Sequence, residues 1–232
     1  MASPKPIEDL GKEHVVVLEK LQQLSQAIGR QGPEALQVVK EVAGFLDGDV
    51  ERHLRKEEEA LFPPLERIMG AEGGPTHVMR LEHVDLRAKR DELVKLVNKE
   101  TAKVSPEIKG TSNFIIDLLE QHIDKEDNIL FPMAQEFLEP DQWAEVEAKM
   151  GDIEKEAANQ VVLDVRAMPP WERHPKIFEL FDSLNSGQTL KLINDHDPRP
   201  LHYQFLAERK DQFTWVSEEK GPQEWVALIT KV

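Results

Sequence analysis

The sequence predicts two domains: an all-α up-down-up-down four-helix bundle over residues 1–150, and a small α/β two-layer sandwich of order β-α-β-α-β-β over residues 157–232. Three observations lead there. Four long segments in the first part space their apolar residues by three and four, the period of a helix with one buried face. Short Gly- and Pro-marked connections join them, which makes sequential helices antiparallel neighbours. From about residue 157 the pattern breaks into short β-rich runs punctuated by proline, as in a separate small layered domain.

The first helix carries Leu10, His14, Val17, Leu21, Leu24 and Ile28 on one stripe and ends at Gly29, with Gly32-Pro33 following. The second starts near Pro33 and runs Leu36, Val39, Ala43, Leu46, Val50, His53, Glu57 and Ala60. Pro63-Pro64 is expected to stop it, because neither proline can donate to the helical ladder. Gly73-Gly74 turns the chain, and Pro75 opens a third helix with the stripe Met79, His83, Leu86, Arg90, Leu93 and Val97. Ser105-Pro106 is a cap and first-turn pair for the fourth, whose stripe is Ile108, Thr111, Ile115, Leu119, His122, Glu126, Ile129 and Met133. In the second domain, VVLDVRAM (161–168) reads as a strand, HPKIFELFDSL as a helix opening at Pro175, and TLKLIND (189–195) as a second strand. A helix in PRPLHYQFLAERK and strands in FTWVSEE and EWVALITKV, parted by Gly221-Pro222, complete the order.

Composition narrows the chemistry. The formal net charge of -15 argues against a nucleic-acid partner, which needs clustered Lys and Arg. There is no cysteine, so disulfides, thiolate metal sites, iron–sulfur clusters and thiol nucleophiles are excluded. Any metal must be held by histidine and carboxylate. MASPKPIEDL lacks the apolar core of a signal peptide, and no apolar run approaches the roughly 18 residues of a membrane span. The expectation is a cytoplasmic protein that meets neither nucleic acid nor membrane.

Residues 53–63 read HLRKEEEALFP, and residues 122–132 read HIDKEDNILFP. An offset of 69 residues superimposes His53 on His122, Glu57 on Glu126 and Leu61-Phe62-Pro63 on Leu130-Phe131-Pro132, and it carries His14 onto His83. The first two helices and the last two therefore form an internal repeat, which predicts a pseudo-two-fold axis. Residues four apart share a helical face, so His53 with Glu57, and His122 with Glu126, point the same way, and their stripes point inward. Glu58, Glu59 and Asp127 are expected to turn toward solvent. A single buried histidine is usually a satisfied core residue, and one His/Glu pair on an acidic helix is usually a solvated face. Three such groups on apolar stripes, all duplicated, are different, because burying six imidazoles and carboxylates without partners costs several kcal/mol per group.

Two metal ions would compensate that cost. His14, His53, Glu57, His83, His122 and Glu126 are too many ligands for one tetrahedral ion. They suit two five- or six-coordinate ions if each carboxylate bridges and an oxo, hydroxo or water ligand completes the pair. Imidazole and carboxylate donors with open positions point to iron first, with manganese or zinc as substitutes. Apolar neighbours such as Ile115, Leu119 and Ile129 are expected to line the open position and to favour a small uncharged ligand such as O2 or NO.

At these residues the first domain resembles the hemerythrin-like family, whose pattern His, His-x-x-x-Glu, His, His-x-x-x-Glu is met by His14, His53/Glu57, His83 and His122/Glu126. The resemblance covers about 150 residues. It implies a non-haem di-iron centre in a four-helix bundle, used by different members for O2 binding, for sensing of oxygen, nitric oxide or iron, and for repair of damaged iron centres. The oxygen carriers have a second histidine four residues away on the third helix, where this chain has Met79 and Arg87; His77 lies about 120° round the helix from His83. The repair proteins usually bear an extra cysteine-containing N-terminal segment, which is not in this sequence.

The second domain resembles a family of unknown function often fused to hemerythrin-like domains, and its element order is similar to the TusA-type sulfur carriers. In those carriers a Cys-Pro opens the first helix; here the spot is His174-Pro175, which excludes persulfide chemistry. PPWERHP and NDHDPRPLHYQF gather Trp171, Glu172, His174, His196, Asp197, His202 and Tyr203, and His174, His196 and His202 are candidates for a second metal or small-ligand site. Local loop and helix-start hydrogen bonding is the plainer account of the same residues. The leading expectation is a di-iron protein that binds O2 or NO and passes the change in ligation to a protein partner. The alternative is a di-iron oxidoreductase of peroxidase, ferroxidase or iron-centre-repair type, and a metal-free helical interaction protein is the third.

Overall fold

In the computed structural model, which describes residues 3–166, 168–219, 221 and 225–232, the three-and-four spacing of apolar residues becomes helices that bury those residues. The chain divides into two compact units, Met1–Glu154 and Lys155–Val232.

In the first unit, α1 (Lys5–Ile28) stops at Gly29, and α2 (Pro33–Phe45) starts after Gly32, whose φ of 107° is open to glycine at little cost. The rod begun by α2 continues through a π-helical turn (Leu46–Val50), α3 (Glu51–Lys56), a second π-turn (Glu57–Leu61) and α4 (Phe62–Met69). Next come α5 (Pro75–Lys99) and α6 (Pro106–Lys125), the latter capped by Ser105, whose Oγ accepts from the Ile108 N–H at 3.3 Å. A third π-turn (Glu126–Leu130) leads into α7 (Phe131–Phe137). The rods pack in a ring, α1 touching α2 and α6, and α5 touching the same two.

Pro63-Pro64 does not stop the second rod, contrary to expectation. The Phe62 N–H reaches back five residues to the Glu57 carbonyl, and the Phe131 N–H does the same to Glu126. Each proline then falls in the first turn of a new α-segment, where a missing N–H is tolerated. The second rod ends at Gly70, with φ 84°. The extra residue in each π-turn also rotates the register downstream. Ile129, expected inside, is 52% exposed, while Leu130 and Ala134 face the core.

After the ring comes α8 (Pro140–Ala158), a helix that the apolar pattern did not separate. Only Val146, Met150 and Ile153 are buried along its 19 residues, too sparse a stripe to stand out among the charges. The apolar core itself is split in two. One cluster includes Val17, Leu21, Val50, Leu54, Leu86, Leu119 and Ile123; the other includes Leu10, Ala60, Leu61, Phe62, Met79, Leu130, Phe131 and Met150. His14, Glu57, His83 and Glu126, all buried, occupy sequence positions between the two, and the buried His53 and His122 stand next to Leu54 and Ile123 at the end of the first.

The second unit is β1 (Gln160–Asp164), α9 (Pro170–Ser183), β2 (Thr189–Asn194), α10 (Arg199–Glu208), β3 (Phe213–Glu219) and β4 (Trp225–Lys231). The sheet order is β1-β2-β4-β3, with β1 and β2 parallel and the other pairs antiparallel. Ile177, Phe178 and Phe181 of α9 and Leu201 and Phe205 of α10 pack on Leu190, Leu192, Ala227 and Ile229 of the sheet. Two boundaries differ from expectation. The first strand ends at Asp164, not residue 168, and Ala167 lies outside the described residues. The helix expected to open at Pro175 opens at Pro170, which suits a first helical position and leaves Pro175 inside the helix. Of the Gly221-Pro222 pair, Pro222 also lies outside the described residues. Among the described residues, no helix is long and apolar enough to cross a membrane.

The register set by the third π-turn is testable by stability. Leu130→Ala, at a residue 1% exposed, is expected to cost about 2–5 kcal/mol in denaturant unfolding. Ile129→Ala should change it by less than about 0.5 kcal/mol. The reverse order would mean an uninterrupted α-helical register.

Candidate metal centre

Each His-x-x-x-Glu motif ends on the first residue of a π-turn, so the histidine projects from regular helix and the glutamate from the widened turn beyond it. π-turns of this kind are frequent at functional sites. The structure brings all six expected residues together in two overlapping groups, His14, His53, Glu57 and Glu126, and His83, His122, Glu57 and Glu126, with ligand atoms in each group within 4.8 Å of one another. The Nε2 atoms of His14 and His53 face each other at 3.2 Å, as do those of His83 and His122. Each carboxylate straddles the two halves. Glu57 offers Oε1 to His53 at 3.5 Å and Oε2 to His83 at 3.4 Å; Glu126 offers Oε2 to His14 at 3.1 Å and Oε1 to His122 at 3.2 Å.

The opposite ring nitrogens are all occupied. The Nδ1–H of His14 donates to Asp127 at 2.8 Å, that of His53 to Glu13 at 2.8 Å, that of His83 to Glu58 at 2.7 Å and that of His122 to Glu82 at 2.9 Å. A carboxylate on Nδ1 fixes the ring and directs the Nε2 lone pair inward, the arrangement that surrounds metal-bound histidines. Phe131 stacks on His14 and Phe62 on His83, at centroid distances of 5.3 and 5.8 Å.

Whether these residues fit metal is decided by the glutamates. All four carboxylate oxygens of Glu57 and Glu126 are buried, and none has a hydrogen-bond partner; the nearby Nε2 atoms lie close without hydrogen-bond geometry. Unpartnered carboxylate in an apolar core is strongly unfavourable. Four convergent imidazole lone pairs do nothing to relieve it. Cations do, and the donor set of nitrogen and oxygen suits iron, manganese or zinc. The residues therefore fit bound cations: His14 and His53 would hold one position and His83 and His122 another, with Glu57 and Glu126 within reach of both.

Without metal, protons take over part of that task. Burial alone would push the His53 imidazole down, yet the charge of Glu57 and the hydrogen bond to Glu13 hold it at about 10. His122 is likewise pushed down by burial and raised to about 10 by Glu126 and Glu82. The same pairs act in reverse on the acids. Burial would raise Glu58, but His83 and Arg87 bring it to about 2, and the hydrogen bond from His122 brings Glu82 to about 2.

Of the acceptors, sequence reasoning missed Glu13 and Glu82, misplaced Glu58, and placed Asp127 in solvent, where it is, without its bond to His14. Glu58, expected in solvent, is half-buried on His83, and Asp127 reaches His14 although it is partly exposed. Each lies next in sequence to a core glutamate, about 100° round the helix, at the edge where a side chain reaches the neighbouring rod. Glu13 and Glu82 were not singled out at all. The 69-residue repeat contained the signal, since it pairs Glu13 with Glu82 and Glu58 with Asp127. Ile115 and Leu119 lie in the first apolar cluster, while the rings that touch the imidazoles are Phe62 and Phe131. His77 is exposed, Met79 is buried, and Arg87 is engaged with Glu58 and Glu51.

In the second unit, His174, His196 and His202 are not gathered into one ligand group. His174 hydrogen-bonds Gln204 at 2.8 Å, His196 pairs with Asp195 at 2.6 Å, and His202 stacks on Trp215 at 4.7 Å. Among the described residues, the only compact groups of three or more such donors are the two in the bundle.

Residues 5–134, more than half of the chain, match the family model described as hemerythrin HHE cation binding domain. The chain belongs to the hemerythrin HHE cation binding domain family. Residues 162–231 match the model for an uncharacterized conserved protein (DUF2249). Similar curated proteins include the iron-sulfur cluster repair protein YtfE of Citrobacter koseri, 34% identical over 100 residues, or 39% of this chain and 44% of that protein. The YtfE of Enterobacter sp. is 36% identical over 92 residues, 35% of this chain and 40% of that protein. The chain thus spans less than half the length of these relatives, and the shared part is the hemerythrin-like region.

The hemerythrin-like centre makes a signed prediction about pH. His53 and His122, at about 10, are raised above the ordinary value of 6.5, so their protonation stabilises the metal-free fold fully below pH 6.5 and that contribution disappears as pH rises to 10. Metal must displace those protons. Titrating metal-free protein with Fe(II) at pH 8 under argon is expected to release about two protons per chain in a pH-stat, and affinity should rise with pH. Uptake without proton release would contradict the assignment.

Proposed function

We propose that this chain is a hemerythrin-like di-iron protein that acts in the repair of damaged iron centres, with an iron–sulfur protein as its partner. The observation that carries this is the likeness, across the bundle, to relatives named for iron-sulfur cluster repair, in a chain whose buried donor set suits two iron ions. Iron bound there supplies redox change and Lewis acidity.

The chain's own residues account for the rest. Glu57 and Glu126 give one oxygen to each half of the centre, which couples the two positions. Glu13, Asp127, Glu58 and Glu82 orient the four imidazoles and hold their Nδ1 protons. The Phe62 and Phe131 rings keep bulk water from His83 and His14. His53 and His122 accept protons when the positions empty and give them up when they fill, so one geometry holds and releases a cation.

A second reading, reversible binding of O2 or NO for sensing, is favoured by the count of donors. Met79 and Arg87 supply no ligand on α5, so six residues leave positions open to a small uncharged molecule.

The test is restoration of activity to a [4Fe–4S] hydratase inactivated by NO or peroxide. Iron-loaded chain should restore it well above an equal amount of free Fe(II), and Glu126→Ala should lose about the whole effect. Equal restoration by free iron or by the variant overturns repair. A long-lived optical adduct on adding NO to the reduced chain, without restoration, would support the sensing reading instead.

A further inference from the structure

The 69-residue repeat is kept in the ligands and in their acceptors, so the places where it fails are informative. Gly11 and Leu18 of α1 correspond to Arg80 and Arg87 of α5. Arg87 grips both oxygens of Glu58 at 2.8 and 3.1 Å and extends to Glu51 at 3.0 Å. Arg80 donates to the Glu58 carbonyl at 3.1 Å and to Glu66 at 2.8 Å, and it lies over the Phe62 ring at 5.3 Å. The other half has neither clamp. Asp127, the counterpart of Glu58, meets His14 alone among the described residues, and a side chain placed on Gly11 would meet nothing within 4 Å.

All four acceptors follow the same division. Side-chain exposure is 45% for Asp127 and 33% for Glu13, which serve His14 and His53, against 19% for Glu58 and 16% for Glu82, which serve His83 and His122. A cleft of about 370 Å³ lined by α1 and α8 reaches Glu13 and its partner Lys56. To let a cation go, a histidine must swing away, and that breaks its Nδ1–H bond. Water replaces the lost partner readily at the exposed Asp127 and poorly at Glu58, which is more buried and held by Arg87; Glu13 and Glu82 are each held by a lysine and differ only in exposure.

We propose that the two halves of the centre differ in exchange: Asp127, exposed and held by no cation among the described residues, leaves the position of His14 and His53 open to metal exchange through His14, while Arg80 and Arg87 lock the position of His83 and His122 through Glu58. This deepens the repair reading, and rests on its two-ion centre, by naming the half from which iron reaches a damaged cluster. Arg87 is then a positioning residue that acts through Glu58.

The test is isotope exchange. Full chain loaded with natural-abundance iron is mixed anaerobically with excess 57Fe(II), desalted at intervals and read by isotope mass spectrometry and Mössbauer area. Half of the iron should exchange about 10- to 100-fold faster than the other half. Arg87→Leu should accelerate the slow half and leave the fast half unchanged, Arg87→Lys should restore part of the slow rate, and Leu18→Arg should slow the fast half. A single phase for both ions, or two phases that the variants do not move, overturns the proposal. Should Arg87→Leu fail to fold, Leu18→Arg decides alone, because it adds a clamp at an exposed site rather than removing one. Two-phase exchange with no repair of the hydratase overturns the repair reading only; repair with single-phase exchange overturns this inference only.

Discussion

Glu57 and Glu126 are fully buried with no hydrogen bond to any of their carboxylate oxygens, and much of the first unit is arranged around that fact. An isolated carboxylate in an apolar interior costs several kcal/mol even after relaxation, so two of them in one core demand a compensating charge. The four Nε2 atoms around them offer it only when protonated. A centre that carries either protons or cations, with both sets of partners sharing the same glutamates, follows from this single constraint. It also explains why the apolar core is divided: Leu10 and Val17 belong to different clusters because His14 stands between them.

Duplication spreads the demand symmetrically. Every imidazole takes a carboxylate from a different rod, His53 on α3 from Glu13 on α1 and His122 on α6 from Glu82 on α5, so the hydrogen bonds that orient the donors also tie the ring of rods together. Lys56 and Lys125 repeat too, each pairing with the acceptor glutamate of its own half. The π-turns belong to the same design. By starting at Glu57 and Glu126 they let the glutamate leave the regular helix while Phe62 and Phe131, five residues on, turn back toward the histidines of α5 and α1.

The four rods of the ring, the two-domain order and the six inward residues were legible because each depends on spacing alone, and a 3.6-residue period is written directly in positions such as Leu10, His14, Val17 and Leu21. What was not legible depends on the third dimension. Proline at 63 reads as a stop because propensity assumes an α-helical ladder, and a π-turn removes the conflict without leaving a mark in composition. Ile129 and Leu130 exchange faces for the same reason. Glu58 and Asp127 look solvated because a charged residue next to a core position usually is; only the neighbouring rod, which brings His83 and His14 within reach, turns them into acceptors. In the second unit His174 and His196 line one small cavity while His202 stacks on Trp215, so the three histidines form no common metal-ligand group. Function was ordered differently by the two kinds of information: a dry six-ligand core without a substrate-pocket motif favoured sensing, whereas likeness over about 100 residues of the hemerythrin-like region favours repair.

The central claim is that the cations required by Glu57 and Glu126 are two ions, shared by both glutamates and divided between the histidine pairs. Anomalous diffraction at the iron edge from crystals of the iron-loaded chain tests it most directly. The account predicts two peaks per chain, one at bonding distance from the Nε2 atoms of His14 and His53 and one from those of His83 and His122, with a carboxylate oxygen of Glu57 and of Glu126 on each. A single peak, or peaks away from these six residues, would contradict it.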